Sequence, residues 1–96
     1  MSGAEALFLT SDHSSPVELP RKGKLVIGSD PDRAHLVVDA PGVDALHCAI
    51  GRLKSGGWAV QDLGAGTRLD GESIQTAKLA KGAVLEIGEA RLRVVP

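Results

Sequence analysis

The sequence is poor in aromatic residues and cysteine, and it has no long apolar run. Aromatic residues make up 2% of the 96 residues, so aliphatic side chains must fill the core around Phe8 and Trp58. Cys48 is the only cysteine and cannot form an internal disulfide, which is typical of a reducing compartment. No apolar run approaches the roughly 20 residues of a membrane-spanning helix, and the N-terminal stretch AEALFL lacks the length and the basic residues of a signal peptide. We therefore expect a soluble, cytoplasmic chain that reaches a membrane only through a segment outside this sequence.

The sequence also lacks an excess of charge of either sign. It has 11 basic and 12 acidic residues, which give a formal net charge of -1. No block of five or more like charges occurs anywhere in the chain. A nucleic-acid-binding protein usually carries a basic patch, so the composition argues against a nucleic-acid partner.

The length and the glycine content predict a small domain built from short segments. A chain of 96 residues with 43% hydrophobic content fits one compact domain, residues 1–96, and leaves no material for a second. Twelve glycines indicate many tight turns. The chain ends at Pro96 directly after a predicted strand, so it is either a complete protein or a domain excised from a longer one.

Apolar segments of strand length alternate with turn-forming residues along the chain. The predicted strands are residues 6–10, 17–19, 24–28, 36–38, 47–54 and 57–63, and the two halves of 84–95. The polar stretch SDHSS is the predicted turn between the first two, and Gly88-Glu89 fits a two-residue hairpin turn of the Gly-X type. The run KLVIG is predicted to be buried on both faces. Segment 63–79 is predicted to be an irregular connection in which Ile74 and Leu79 are isolated core residues.

Eight to eleven short strands with no helical period predict an all-β sandwich. In such a domain the loops gather at the two ends, where function is usually found.

Four segments then occur in the order and spacing of a known family: IGSDPD, VVDAPGVDALHCAI, VQDLGAGTRLDGESI and LAKGAVLEIG. Together, over about residues 24–95, they resemble a forkhead-associated (FHA) domain, whose usual pattern is I-G-R, V-S-R-x-H-A, D-L-G-S-x-N-G-T-x-V-N-G and L-x-x-G-D-x-I-x-I-G. The resemblance implies a sandwich of about eleven mostly antiparallel strands whose loops at one end read phosphothreonine peptides. It also implies no cofactor and no catalysis. A metal site is not expected, because Asp30, Asp32, His35 and Asp39 do not have the spacing of a calcium loop.

The framework of that pattern is kept, but the phosphate-reading positions are not. Ser29 stands where the family has the phosphate-pairing arginine, Asp44 stands at the hydroxyl position, and Ala45 replaces the arginine that usually follows. The S-x-N-G-T loop is two residues shorter, so its asparagine is missing. The kept residues that the resemblance expects to shape the loops are Gly28, His47, Asp62 and Gly64. The residues expected to contact a partner are Ser29, Asp30, Arg33, Asp44, Ala45, Ala65, Gly66, Thr67 and Arg68.

These replacements predict a site that does not bind phosphate. Phosphothreonine carries about -1.5 to -2 charges, and losing two charge-assisted hydrogen bonds to it costs about 3 to 6 kcal/mol. The carboxylate of Asp44 adds like-charge repulsion. A second interpretation of Asp44 is that of a turn residue whose carboxylate caps neighbouring amides.

The function predicted from these residues is a non-catalytic interaction module that binds a protein or peptide without phosphorylation. One alternative is a divergent phosphothreonine reader in serine/threonine kinase signalling, in which Thr67 acts with Arg68 or Arg33. Another is a structural assembly domain, as in the cytosolic domain of the inner-membrane ring protein of type III secretion.

His47 and Cys48 are interpreted as structural, because no nucleophile, base and orienting group come together. The identity of the partner and the oligomeric state stay open.

Overall fold

A computed structural model describes residues 6–11 and 14–96, and this part of the chain contains eleven strands and no helix. The strands are β1 Phe8–Ser11, β2 Ser14–Glu18, β3 Lys24–Gly28, β4 Leu36–Val37, β5 Cys48–Arg52, β6 Trp58–Asp62, β7 Thr67–Leu69, β8 Glu72–Ile74, β9 Thr76–Leu79, β10 Val84–Ile87 and β11 Ala90–Val95. The predicted all-β class is confirmed. Of the predicted turn SDHSS, Asp12 and His13 lie outside the described residues.

The strands form two sheets that pack face to face. The six-stranded sheet has the order β2-β1-β11-β10-β7-β8, and the five-stranded sheet has the order β4-β3-β5-β6-β9. Neighbouring strands are antiparallel except for the parallel pair β3 and β4. Strand β11 shows why the core lies between the sheets, because its side chains alternate between buried and exposed, as a strand with one solvated face requires. The largest fully buried aliphatic side chains are those of Leu9, Leu19, Ile27, Ile50, Leu85, Ile87 and Leu92.

The hairpin at the end of the chain and the third strand are where the sequence predicted them. Strand β3 has the predicted bounds, and Gly88-Glu89 is the turn between β10 and β11. The prediction that KLVIG is buried on both faces is wrong. Lys24 is exposed and Val26 is only partly buried, because no other described element covers the outer face of this sheet, and Leu25 on the inner face is also only partly buried.

The prediction of an irregular connection over 63–79 is also wrong. This segment contains β7, β8 and β9, of which β7 and β8 form a hairpin around Asp70 and Gly71. Both turn residues have positive φ, 52° and 87°, as a type I′ turn requires. Strands of three or four residues show too little alternation to be recognised, so Ile74 and Leu79 looked like isolated core residues.

The two ends of the sandwich are closed differently. At one end Trp58 is 1% exposed, and its indole Nε1 donates a hydrogen bond of 2.6 Å to the carbonyl of Pro20. The guanidinium of Arg52 lies 4.4 Å from the centroid of the Trp58 ring. Phe8, expected in the core, is only partly buried and lies on β1. The opposite end, where β3 and β6 finish and β5 starts, carries the loops that the sequence singled out.

Candidate functional site

Four chain segments meet at the end of the sandwich opposite Trp58, and we call them the loop end: residues 29–33, 39–46, 63–66 and 88–89. Backbone hydrogen bonds join them. The amide of Ser29 donates to the carbonyl of Asp44 at 2.9 Å, and the amide of Asp30 donates to the carbonyl of Ala45 at 3.2 Å. From the six-stranded sheet, the amide of Glu89 donates to the carbonyl of Pro41 at 2.9 Å. The 39–46 loop is therefore fixed between the two sheets.

Two glycines allow this close approach. A Cβ atom on Gly28 would lie 1.9 Å from the carbonyl oxygen of Ala45, so no side chain fits there without moving the backbone. A Cβ atom on Gly88 would lie 2.5 Å from the carbonyl oxygen of Pro41, and Gly88 also has a φ of 55°. The sequence predicted Gly28 as a loop-shaping residue and Gly88 as a turn residue, but it gave no sign that Gly88 touches Pro41 and Gly42.

His47 connects two of the loops through both of its ring nitrogens. It is 1% exposed, its Nδ1 accepts a hydrogen bond of 3.1 Å from the amide of Asp44, and its Nε2 donates one of 2.8 Å to the carbonyl of Gly66. The acceptor role of Nδ1 places the proton of the neutral ring on Nε2. Both nitrogens are therefore occupied by backbone groups, and neither faces a space where a substrate proton could be taken.

Asp62 organises the shortened 63–66 loop. Its Oδ2 accepts a hydrogen bond of 3.1 Å from the amide of Gly64, and its Oδ1 accepts bonds from the amide of Gly66 at 3.0 Å and from the hydroxyl of Thr67 at 2.7 Å. The hydrogen bond from Thr67 is the largest cause of a lowered pKa of the Asp62 carboxyl, and the two amides lower this pKa further. Thr67 is 1% exposed, so it supports the loop from below and offers no surface to a partner.

The lowered pKa predicts an acid-sensitive loop. Ionised Asp62 contributes stability above its unfolded pKa of about 3.9, and this contribution is lost as the pH falls through the lower folded-state pKa. We expect Asp62→Asn to be less stable than wild type by about 1 to 2 kcal/mol at pH 7, because the amide nitrogen cannot accept a bond from Gly64. In thermal denaturation this difference should shrink as the pH falls below about 4. A difference that stays constant over this range, or an equal change in the exposed control Asp39→Asn, would contradict the assigned role.

Asp30 and Arg33 form a local pair within the 29–33 loop. The Oδ2 of Asp30 accepts a hydrogen bond of 2.8 Å from the Nε of Arg33, and its Oδ1 accepts one of 2.8 Å from the amide of Asp32. The Arg33 hydrogen bond is the first cause of a lowered pKa of the Asp30 carboxyl. Because Asp30 already offsets the charge of the Arg33 guanidinium, Arg33 presents less net positive charge to a phosphate group than an unpaired arginine would.

The structure brings Ser29, Asp30, Asp44 and Ala45 together through the backbone bonds described above, and His47 adds Gly66 to them. Asp44 and Ala45 are exposed. Both backbone polar groups of Asp44 are used inside the loop end, but among the described residues its carboxylate accepts no hydrogen bond. Capping of neighbouring amides by this carboxylate, the second interpretation of Asp44, is therefore not observed.

Arg68 lies beside these residues on a different surface. On β7 it is paired with Ser73 of β8 on one side and with Glu86 of β10 on the other. The three side chains line a shallow cavity of about 210 Å³ that also touches Gly66 and Gly88. Arg68 is thus at the flank of the loop end, and Ala65 is exposed in the short loop next to it.

Cys48, next to His47, is buried at the start of β5. Burial raises the pKa of its thiol to about 12, with the nearby Asp62 as a smaller cause. The thiol therefore stays protonated at neutral pH and packs as a small apolar side chain. Within residues 6–11 and 14–96, no group of three or more His, Cys, Asp or Glu side chains is placed to hold a metal ion.

Solved structures with the same sandwich define the class of this protein as the FHA domain. The FHA domain of the CT664 protein from Chlamydia trachomatis superposes with a TM-score of 0.84 at 21% identity, over 96% of this chain and 98% of that chain. An FHA domain solved in a study of phosphothreonine-dependent interactions gives 0.82 at 25% identity, over 96% and 97%. The FHA domain of FhaA, solved in complex with the intracellular domain of Rv3910, gives 0.78 at 27% identity, over 92% and 98%. FHA domains are interaction modules.

A family model identifies a particular family with this fold. The model described as the cytoplasmic domain of the inner membrane component of the type III secretion system, Yop-YscD, matches residues 8–96, and the chain belongs to this family. A comparison with curated proteins found no match. In the described part of the chain there is no helix with the length and apolarity that a membrane crossing requires.

Proposed function

We propose that residues 1–96 form one cytoplasmic, non-catalytic domain whose loop end binds a protein or peptide without requiring phosphorylation. The observation that carries this proposal is an intact hydrogen-bonded frame around positions at which no side chain is positively charged. Gly28, His47 and Asp62 hold the loops in place, while Ser29 and Ala45 offer no positive charge.

The charge of the loop end supports the same conclusion. Four exposed carboxylates of the loop end have no ion-pair partner among the described residues: Asp32, Asp39, Asp44 and Glu89. The guanidinium of Arg33 is the only cation of the four segments, and Asp30 neutralises it. A phosphate group would approach this surface against like charge, worth about 1 kcal/mol per pair at contact distance even in water.

The loop end keeps the features that an unphosphorylated partner needs. Its backbone is fixed before binding, so little conformational entropy is lost on association. Leu63 is 43% exposed at the base of the short loop and offers an apolar contact. The partner-contacting residues of this proposal are Ser29, Asp30, Arg33, Asp44, Ala45, Ala65 and Gly66, with Arg68 at the flank and Thr67 as internal support.

The test is an NMR titration of the ¹⁵N-labelled chain with matched phosphorylated and unphosphorylated peptide pools. We expect the amides of 29–33 and 39–46 to shift with the unphosphorylated pool, and phosphorylation to weaken the effect through the repulsion described above. Micromolar binding of a phosphothreonine peptide with none of its unphosphorylated form would overturn the proposal. In that case, loss of binding in Arg33→Ala with Arg68→Ala would identify a divergent phosphopeptide reader.

The family match supports a second candidate, a structural part of a membrane-associated assembly of the type III secretion kind. A preserved frame without ligand-reading residues also fits this role, since an assembly contact needs shape and not phosphate chemistry. A membrane-spanning segment directly after Pro96 in the full-length gene product favours this candidate. A catalytic domain after Pro96 would be evidence against this candidate.

A further inference from the structure

The outer face of the six-stranded sheet carries a group of arginines that the loop end does not use. Pairing registers place two rows of side chains on this face. One row runs from Ser73 through Arg68 and Glu86 to Arg91, and the other joins Thr10, Arg93 and Val84. We call the second row together with Arg91 the arginine face.

A cavity lies on the arginine face. Its volume is about 380 Å³, and it is lined by Thr10, Ser11, Val84, Arg91, Leu92 and Arg93. This size falls within the range of about 300 to 1,000 Å³ that is usual for ligand clefts. Arg93 stands directly between Thr10 of β1 and Val84 of β10, so a hydroxyl and an apolar side chain flank its guanidinium stem.

The two arginines that line the cavity have N–H groups that remain available to a ligand. Arg93 is exposed and has no acidic partner among the described residues. The Nε of Arg91 lies 3.3 Å from Oε2 of Glu86, and the Arg91 side chain is 78% exposed. A guanidinium has five N–H donors in a planar fork that matches a carboxylate, so both residues can still bind an anion in a bidentate way.

Two carboxylates next to the residues that line the cavity each have an interaction partner within the chain. Glu86 holds Arg91, and the Oδ1 of Asp70 accepts the amide of Val84 at 3.0 Å. Arg93 is therefore left as a positive charge that no acidic side chain among the described residues offsets, whereas four exposed acidic side chains without an ion-pair partner lie at the loop end. An acidic segment is therefore attracted to Arg93 and repelled by the carboxylates of the loop end.

We propose that the arginine face is a second docking surface, which binds an acidic, carboxylate-rich segment of a partner protein. Arg93 and Arg91 pair with Asp or Glu side chains of the segment, and the Thr10 hydroxyl adds a hydrogen bond at the edge. Val84 and the stem of Arg93 provide apolar contact for the backbone of the segment. The site is independent of the loop end and of whether the loop end reads phosphate.

The test is fluorescence anisotropy with a labelled peptide rich in Asp and Glu, titrated with the full chain at low and at physiological salt. Arg93→Glu should weaken binding at least about tenfold, since it removes a charge-assisted pair and adds repulsion. The matched control is Lys78→Glu, which changes the net charge equally but lies exposed on β9 of the other sheet. Its affinity should stay close to that of wild type.

A second pair of variants tests whether removing a negative charge raises the affinity for the acidic peptide. Glu86→Gln frees Arg91 and should tighten binding, whereas Glu89→Gln, with the same change of charge at the loop end, should leave it unchanged. Arg93→Lys should retain only part of the affinity, because an ammonium group cannot form the bidentate pair. Equal weakening by Arg93→Glu and Lys78→Glu, no binding of the acidic peptide, or binding only of inorganic phosphate would each overturn the proposal.

Discussion

The double variant Ser29→Arg with Asp44→Ser is expected to bind a phosphothreonine peptide much more tightly than the wild-type chain. The Ser29 amide and the Asp44 carbonyl are joined by a hydrogen bond of 2.9 Å, so the two new side chains start from neighbouring points of the loop end. One supplies a guanidinium and the other a hydroxyl, and the repelling carboxylate is removed. Two charge-assisted bonds are worth about 3 to 6 kcal/mol, which corresponds to a gain in affinity of roughly 10² to 10⁴.

Fluorescence anisotropy with phosphorylated and unphosphorylated forms of one peptide measures this gain. The matched control is Ser73→Arg with Asp39→Ser, which has the same composition and net charge but separates the exchanged residues. Ser29→Arg alone should gain little, because Asp44 would neutralise the new arginine. Equal binding of both peptide forms by the double variant, or an equal gain in the control, would show that the frame of the loop end does not direct phosphate recognition.

Gly28→Ala is expected to be the most damaging single-methyl change in this chain. Its Cβ atom would lie 1.9 Å from the Ala45 oxygen and 2.6 Å from the Ala45 carbon, both of which belong to backbone. The clash can be relieved only by moving β3 away from the 39–46 loop. This movement lengthens the hydrogen bonds that the amides of Ser29 and Asp30 donate to this loop. Overpacking against rigid atoms costs about 1 to 3 kcal/mol, and we expect the upper end of this range.

For a domain of this size, a loss of about 3 kcal/mol lowers Tm by roughly 12 to 24 °C. Gly51→Ala is the matched control, because Gly51 lies in β5 of the same sheet and its Cβ atom would meet only ordinary contacts of 3.7 Å or more. That variant should melt near the wild-type temperature or above it, since alanine restricts the unfolded chain. Similar Tm values for the two variants would contradict the contact between Gly28 and Ala45.

Most of the fold followed from local patterns. The alternation of β11 and the KLVIG run of β3 predicted strands that are present, and the motif frame predicted the FHA class to which the sandwich belongs. The prediction was wrong for β7, β8 and β9, which are too short to show a period. It was also wrong for the burial of β3, because the sequence does not say whether a third layer covers a sheet.

For the candidate site, the sequence showed which residue types were missing, and the structure showed how the remaining ones are used. Ser29, Asp44 and Ala45 were recognised as replacements from their positions in the motif alone. The pairing of Arg33 with Asp30, the burial of Thr67 and the position of Arg68 on a sheet face were not visible, because each depends on where a side chain points. The same holds for the arginine face, whose members come from β1, β10 and β11.

The amino-acid sequence by itself determined most of the strand-forming segments and turns and the absence of an arginine at the phosphate-reading position, since these depend on residue type and on neighbours along the chain. Only the tertiary structure decided which loops touch, which carboxylates are free and which arginines share a surface. These properties arise from contacts between residues far apart in the sequence, because the pairing of β3 with β5 brings Gly28 to Ala45 and the packing of the two sheets brings His47 to Gly66.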